Sequence, residues 1–433
     1  MNKRILFILS LLLSASILLA ACAPAAAVTD TPAPADTVAP ADTAAAPAET
    51  VNISYAIWDN NQLPAHQQII AAFEAKNPNI KVTVEVVPWE AYWTKLQTAV
   101  AGGEAYDVFW MNGPSFPVYA SKGVLTDLQD RVTKDNVDMS KYADALVKLY
   151  SYNGHVYGLP KDFDTIGLYY NKDLFDQAGA AYPTADWTWD DLAKAAKQLS
   201  DPAKGVWGLS VPGDQTGYWN FIYQNGGEVI APDGSKVLID QPASCEAITF
   251  LYDQMKAGSM PDAATTASMD PNTQLFPGGK IAMITAGSWA AKSFSTAGFK
   301  LGVAPLPKKV KQATIIHGLS NVVWSGTKHP EEAWTFVKFL GGEEAATILA
   351  ESGTVIPAYQ GMQDKWAKSI PGLDLQVFVD ALSYSVPYPT AAKGMEWNTK
   401  ISDVMGDVWL GNIPIDKACQ SMAEAANAVL SQP

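Results

Sequence analysis

From residue 51 onward the chain switches between two hydrophobic periods. Val51–Trp58 (VNISYAIW) and Ile80–Val87 (IKVTVEVV) place apolar side chains at every second position, as half-buried strands do. Asp107–Met111 (DVFWM) is apolar after its first residue and reads as a short strand covered on both faces. Between these, Leu63–Asn77 carries Ile69, Ile70 and Phe73 on one helical face, and Trp89–Ala101 reads as a helix stopped by Gly102-Gly103. The order strand, helix, strand, helix, strand predicts an α/β lobe. Further on, strands are expected at Thr165–Asn171, Ile281–Thr285 and Ile315–Trp324. Helices are expected at Trp189–Leu199, Ser244–Ala257, Pro330–Leu340, Glu343–Glu351, Leu373–Leu382 and Ile415–Leu430. No period of 20–50 residues recurs, which excludes solenoids and propellers.

The pattern before residue 51 is of another kind. Lys3 and Arg4 precede an apolar run, Ile5 to Ala21, that is short for a membrane span and interrupted by Ser10, Ser14 and Ser16. It ends in Leu19-Ala20-Ala21-Cys22, similar to a bacterial lipobox, in which the Cys is lipidated and becomes the new N-terminus. Residues 1–21 are therefore expected to be a lipoprotein signal peptide. Residues 22–50 are expected to be a lipid-anchored linker: they are mainly Ala, Pro and Thr and contain no aromatic, Leu or Ile, so they cannot bury enough surface to offset ordering. Extended at about 3.1 Å per residue, this linker would reach roughly 90 Å.

Composition narrows the function. The chain carries 30 basic and 44 acidic side chains, a net charge of −14, and of the basic residues only Arg4 and Arg131 are Arg. A nucleic-acid partner is excluded, because that needs a face rich in Lys and Arg. Three Cys and four scattered His leave no metal cluster, and no cofactor is expected. Cys245 and Cys419 both fall in predicted helices and are able to pair in an oxidising compartment, but two independent thiols is the favoured reading, since a body this long needs no staple. There is no Gly-x-Ser-x-Gly, His-Glu-x-x-His or Cys-x-x-Cys. Asp162 and Asp164 share one face of an extended chain, yet neighbours so close would not flank a scissile bond, so no catalytic residue is assigned.

All fourteen Trp lie in the body, and an indole next to amides and carboxylates is what a neutral sugar needs: a face for its C–H groups and partners for its hydroxyls. Ligands of α/β sheets bind beyond the carboxyl ends of strands. Trp58-Asp59-Asn60 and Trp110-Met111-Asn112 stand at two such ends. Trp189, Trp334 and Trp409, on helix faces, are expected in the core. Scarce Arg argues against an anion held by a bidentate clamp.

Several segments together resemble one family. These are Tyr157-Gly158-Leu159-Pro160 followed by Leu168–Phe175 (LYYNKDLF), Pro183 with Thr188–Leu192 (TWDDL), Phe276–Met283 (FPGGKIAM) with Gly287-Ser288-Trp289, and Lys328–Leu340. In this order they are similar to the family 1 extracellular solute-binding proteins of ABC importers, the maltose-binding-protein-like receptors, and the likeness spans the body from Val51 onward. It implies a two-lobed α/β fold of the periplasmic-binding-protein type (type II), with hinge crossings near Lys161–Thr165, Ile315–Leu319 and Val355–Gln360. Pro160, Gly318, Gly353 and Pro357 in or beside these stretches suit irregular backbone. The lobes are then 51–162 with 318–357, and 163–317 with 358–433. By position the resemblance adds Asp162, Trp219, Trp289, Tyr388 and Trp397 to the ligand-binding candidates, with His317 at a crossing and Lys161 beside Asp162. The function implied is an extracytoplasmic receptor, monomeric and anchored through Cys22 to the outer face of the cell membrane, that binds a neutral carbohydrate without catalysis and delivers it to the transmembrane subunits of an ABC permease. A receptor for another solute, such as glycerol phosphate or a polyamine, and a secreted carbohydrate-active enzyme are the alternatives.

Overall fold

The structure, a computed structural model, describes residues 49–214, 216–391 and 393–432. The expected signal peptide, Cys22 and the expected linker up to residue 48 lie outside the described residues. Twelve strands are present among them: β1 Val51–Ile57, β2 Ile80–Val86, β3 Val108–Asn112, β4 Ser151–Tyr152, β5 His155–Val156, β6 Gly158–Asn171, β7 Trp207–Ser210, β8 Ile281–Gly287, β9 Leu301–Ala304, β10 Thr314–Val323, β11 Ile356–Pro357 and β12 Ser385–Pro387. β4 and β5 form a separate hairpin. The main sheet runs β2-β1-β3-β10-β6-β8-β7, with β9 and β11 paired to β6 and β12 to β10. β1 is parallel to β2 and β3, and β10 runs antiparallel to both β3 and β6.

Helices α1 (Leu63–Lys76) and α2 (Trp89–Gly102) make the β1–β3 crossovers, as the hydrophobic periods predict. α1 buries Ile69, Ile70 and Phe73, and α2 ends on Gly103 in the left-handed conformation that lacks a Cβ penalty. Thr188 starts the Trp189–Leu199 helix with a capping box whose partner is Asp191.

The apolar residues sort into three buried clusters. One draws on residues 53–159 and 322–355, a second on 166–315 and 388–429. The third, around Phe163, Tyr169, Ile356, Trp366 and Phe378, lies against the strands that join them. This is a mixed α/β fold of the two-lobed, type II kind. β6, with all fourteen residues buried, is the spine: its first half pairs with β10, its second with β8 and β9.

Three elements differ from expectation. β6 begins at Gly158, well before Thr165, because Pro160 is accommodated where the β6–β10 register shifts. The expected Leu373–Leu382 helix is a short α-helix, Gln376–Asp380, followed by a 3-10 turn. Cys245 and Cys419 form a disulfide between the Pro242–Lys256 and Ile415–Leu430 helices, correcting the reading of two free thiols. Packing of these two helices brings residues 174 apart in sequence to a Cα separation of 5.6 Å, within bonding range.

Candidate functional site

Three stretches of chain meet where β6, β10 and β11 pair. Asp162 stands opposite Leu319 and Pro357, Phe163 opposite Gly318 and Ile356, and Asp164 opposite His317. Beyond Leu319 the register shifts, so Pro160 pairs with Ser320 and Lys161 is left out of the ladder. A residue extruded in this way can turn its side chain away from the sheet's alternation. Lys161 uses that freedom to bury its ammonium group, which is ion-paired to Asp162, donates to Gln62 Oε1 at 2.8 Å and lies 4.4 Å from the centre of the Trp110 ring. Asp162 also accepts the Leu319 amide at 3.0 Å. Both its oxygens are taken up by the protein, and it is fully buried. Asp162 therefore belongs to an ion pair behind the crossing strands, and it does not line the cleft in front of them.

That cleft encloses about 970 Å³, at the upper end of the roughly 300–1,000 Å³ typical of small-molecule sites. On one side β1 delivers Trp58 and Asp59 to its rim, β3 delivers Asn112, and α2 contributes Trp89, Trp93 and Gln97. Trp58 meets the Trp89 and Trp93 rings edge-on or tilted, at 5.4 and 6.0 Å. Trp110 is a second row: fully buried behind Trp58, it donates its indole N–H to Tyr55 at 2.6 Å. The expectation that Trp110 faces ligand is corrected, because as the third residue of a strand buried on both faces it has no open side. Asp59 accepts bonds from the Asn61 amide and the Gln62 side chain, and Asn112 from the Ser115 amide. Asn60 is exposed and outside the cleft lining.

Opposite lie Trp289, His317, Tyr388, Asp164 and Asp214. Trp289 lies over the end of β8 because residue 287 is Gly: a Cβ there would sit 2.1 Å from the indole. Its ring packs against both lobes' clusters and stands 5.8 Å from that of His317, which in turn stands 4.8 Å from Tyr388. His317 Nε2 is buried without a partner among the described residues, and burial pushes the imidazole pKa down to about 3. Burial, followed by the neighbouring Asp162 charge, pushes Asp164 up to about 8 even though Ser288 Oγ donates to it at 2.7 Å. Burial also raises Asp214, which accepts the Thr216 amide and hydroxyl.

Trp219 and Trp397 sit behind Tyr388 and outside the lining. Both are fully buried, stacked on each other at 5.7 Å and 13°. They lie on helices: Trp219 in Tyr218–Gln224, every residue of which is buried, and Trp397 in Glu396–Leu410, on the face shared with Ile401, Met405 and Val408. Placement as cleft residues is corrected for both on that ground.

The arrangement offers aromatic faces, carboxylates and amides across one cavity. No group of three metal-ligating side chains occurs among the described residues. The one Arg of the body, Arg131, is engaged by Glu331 at 2.7 and 2.9 Å, away from the cleft. Residues 58–347 match the family described as bacterial extracellular solute-binding protein. The chain belongs to that family. Among curated relatives, the galactooligosaccharide-binding protein of Bacillus subtilis is 26% identical over 88% of this chain and 91% of its own. The maltotriose-binding protein of Pyrococcus abyssi is 24% identical over 84% of this chain and 77% of its own. Among solved structures, an ABC substrate-binding protein of Listeria monocytogenes in complex with cycloalternan superposes with a TM-score of 0.85 at 31% identity, covering 89% of this chain and all of that one.

For this solute-binding protein, the residues that sequence reasoning missed are chiefly those of α2. Trp89, Trp93 and Gln97 are spaced four apart, while Tyr92 and Leu96 face the core. Two Trp four residues apart, beside the Tyr92–Leu96 face, were the available signal.

Proposed function

We propose that this chain is the substrate-binding component of an ABC importer, taking a neutral carbohydrate into the interlobe cleft and passing it, chemically unchanged, to the permease's transmembrane subunits. The observation that carries this reading is the pairing of aromatic faces (Trp58, Trp93, Trp289) with hydrogen-bonding side chains (Asp59, Asn112, Asp164, His317) around one 970 Å³ cavity. Sugar hydroxyls both donate and accept, which suits a carboxyl and an imidazole side by side, and the C–H faces gain dispersion and burial energy on indole. The saccharides named for the relatives support the same class. The protein works as a monomer, held at the outer face of the membrane by acyl chains on Cys22.

A polyamine is the second reading, favoured by the carboxylates Asp59, Glu90, Asp164, Asp214 and Glu396 around the cavity. A thermal-shift screen of sugars, polyols and polyamines separates the two: saccharides raise the melting temperature, and stabilisation by polyamines alone would sink the carbohydrate reading. Incubation with oligosaccharides is expected to release no new reducing ends. Cys22→Ala is expected to move the protein from the membrane to the soluble fraction, and retention of the variant would remove the anchor.

A further inference from the structure

A buried ion pair adds little stability by itself, because desolvating two charges offsets most of their attraction, and apolar side chains of similar volume often do better. The Lys161 and Asp162 side chains are nonetheless buried together, with exposures of 1% and 0%. Their hydrogen bonds lead toward the cleft, although Lys161 is outside its lining. An ammonium group has three N–H donors and no acceptor. That of Lys161 serves Asp162 and, at 2.8 Å, Gln62 Oε1, and the centre of the Trp110 ring lies 4.4 Å from its nitrogen. A donor-only partner decides which way the Gln62 amide faces. Oε1 must point to the ammonium, so the NH2 group points elsewhere, and Nε2 donates to Asp59 Oδ2 at 3.0 Å. Gln62 is 3% exposed, so water hardly competes for either end.

The other Asp59 oxygen, Oδ1, accepts the Asn61 amide at 2.9 Å. Asp59 and Gln62 are also the first and last residues of one turn, closed by the Gln62 amide on the Asp59 carbonyl at 3.2 Å. The carboxylate is thus held at both oxygens, and each keeps a lone pair for a partner in the cleft that Asp59 lines. At the far end Asp162 accepts the Leu319 amide of the β10 crossing at 3.0 Å. Polar contacts therefore run without a break from Leu319 through Asp162, Lys161 and Gln62 to Asp59. We propose that Lys161 is a positioning residue for solute binding: without touching the solute it sets the Gln62 amide, and through that amide it aims the Asp59 carboxylate at the solute's hydroxyl groups. This rests on the carbohydrate reading above and adds the residues that orient one of its polar contacts.

The test uses variants that cut this run without orphaning a charge. Gln62→Met cuts it in the middle and leaves the Lys161–Asp162 pair whole. Lys161→Met/Asp162→Asn removes both charges at once, and the Asn keeps an oxygen for the Leu319 amide. One readout needs no solute: the two side-chain amide proton resonances of Gln62 in the isotope-labelled mature protein. In the wild type the proton held by Asp59 is expected well downfield of its twin. In Lys161→Met/Asp162→Asn the separation is expected to collapse to that of Asp59→Ala, where the acceptor is gone. The second readout is calorimetric affinity for maltotriose, β-1,4-galactotriose and any other saccharide that raises the melting temperature. Gln62→Met and Lys161→Met/Asp162→Asn are each expected to weaken binding about tenfold, and to weaken it no further when Asp59 is already Ala. An ion pair that merely supports the fold would lower affinity equally in both backgrounds. If the resonance separation survives in Lys161→Met/Asp162→Asn, or its affinity loss is the same in the Asp59→Ala background, or Asp59→Ala binds like wild type, the positioning role is wrong while the carbohydrate reading stands. If no saccharide binds the wild type, the parent reading itself has failed, and the positioning role with it.

Discussion

Two aromatic groups of similar composition flank the cleft and are packed in different ways. On the β1–β3 side, Trp58, Trp89 and Trp93 meet at angles of 47° to 87°, and all three line the cavity. On the other side, Trp219 and Trp397 lie nearly parallel, sealed behind Tyr388, and both indole N–H groups are without partners among the described residues. Residue type therefore says little about role here; what decides is whether the supporting helix has a second apolar face. α2 fills its core contact with Tyr92 and Leu96 and has Trp to spare, whereas Tyr218–Gln224 is buried all round and Glu396–Leu410 needs Trp397 for its single inward stripe.

The largest expected effect tests that division directly. Trp219→Ala or Trp397→Ala opens a cavity in a packed stack, and truncating a buried aromatic typically costs about 3–5 kcal/mol. Each variant is expected to unfold much earlier in denaturant, with affinity per folded molecule nearly intact. Trp58→Ala is expected to show the opposite pattern. Early melting of Trp58→Ala together with lost binding in Trp219→Ala would reverse the assignment of the two groups.

The disulfide comes next in size. It ties the Pro242–Lys256 helix to Ile415–Leu430, which packs along the helix that carries Trp397. Closing so long a loop constrains the unfolded chain, and removal of such a bond typically costs about 2–4 kcal/mol. The Cys245→Ser/Cys419→Ser double variant, or wild type under reductant, is expected to melt lower by that amount. The comparison also gains an optical readout. Trp fluorescence from the sealed group should become more accessible to a neutral quencher on reduction, while the cleft-facing group, already open, should not change. Equal accessibility before and after would show that the disulfide does not hold the seal.

Much of the fold was legible because its signals are local. The alternation in Ile80–Val86, the Gly102-Gly103 pair that ends α2 and the Thr188 start of the Trp189–Leu199 helix each act within a few residues. The strand-end rule brought Trp58, Asp59 and Asn112 to the cleft lining, and the family resemblance brought Trp289, His317 and Tyr388 there. What stayed hidden depends on distant partners. Nothing in the run Pro160-Lys161-Asp162 announces that a register shift will turn a Lys and an Asp into a buried ion pair. The Glu396–Leu410 helix has a regular apolar stripe, yet Asn398, Thr399 and Gly406 weaken its helical signal. The cysteine pairing is set by helix packing across most of the second lobe, beyond the reach of spacing arguments.

The smallest expected effect lies on the floor between the two aromatic groups, and its sign follows from two titrations. Asp164, pushed up to about 8, keeps in the fold a proton that an unfolded carboxylate, with a pKa near 3.9, has already lost. Its contribution to stability therefore falls as pH rises from about 4 to 8. His317, pushed down to about 3, refuses a proton that the unfolded imidazole takes up below about 6.5, so its contribution is lost as pH falls from 6.5 toward 3. Buried His66 acts in the same direction as His317, and Asp214 in the same direction as Asp164. Below about 6.5 the carboxyl and imidazole slopes oppose each other; between 6.5 and 8 the histidine slopes are spent and the carboxyl slope remains. Asp164→Asn removes its part of that slope and retains an oxygen that accepts from Ser288. The variant is expected to gain on wild type throughout the range from about pH 4 to 8, and within the part from pH 6.5 to 8 by at most roughly 2 kcal/mol across about 1.5 pH units. Ligand-free melting at half-unit intervals reads the difference. Parallel curves for variant and wild type would mean that Asp164 is ionised throughout, with the cleft wetter and the floor less distinct from the open aromatic wall than the burial of its side chain indicates.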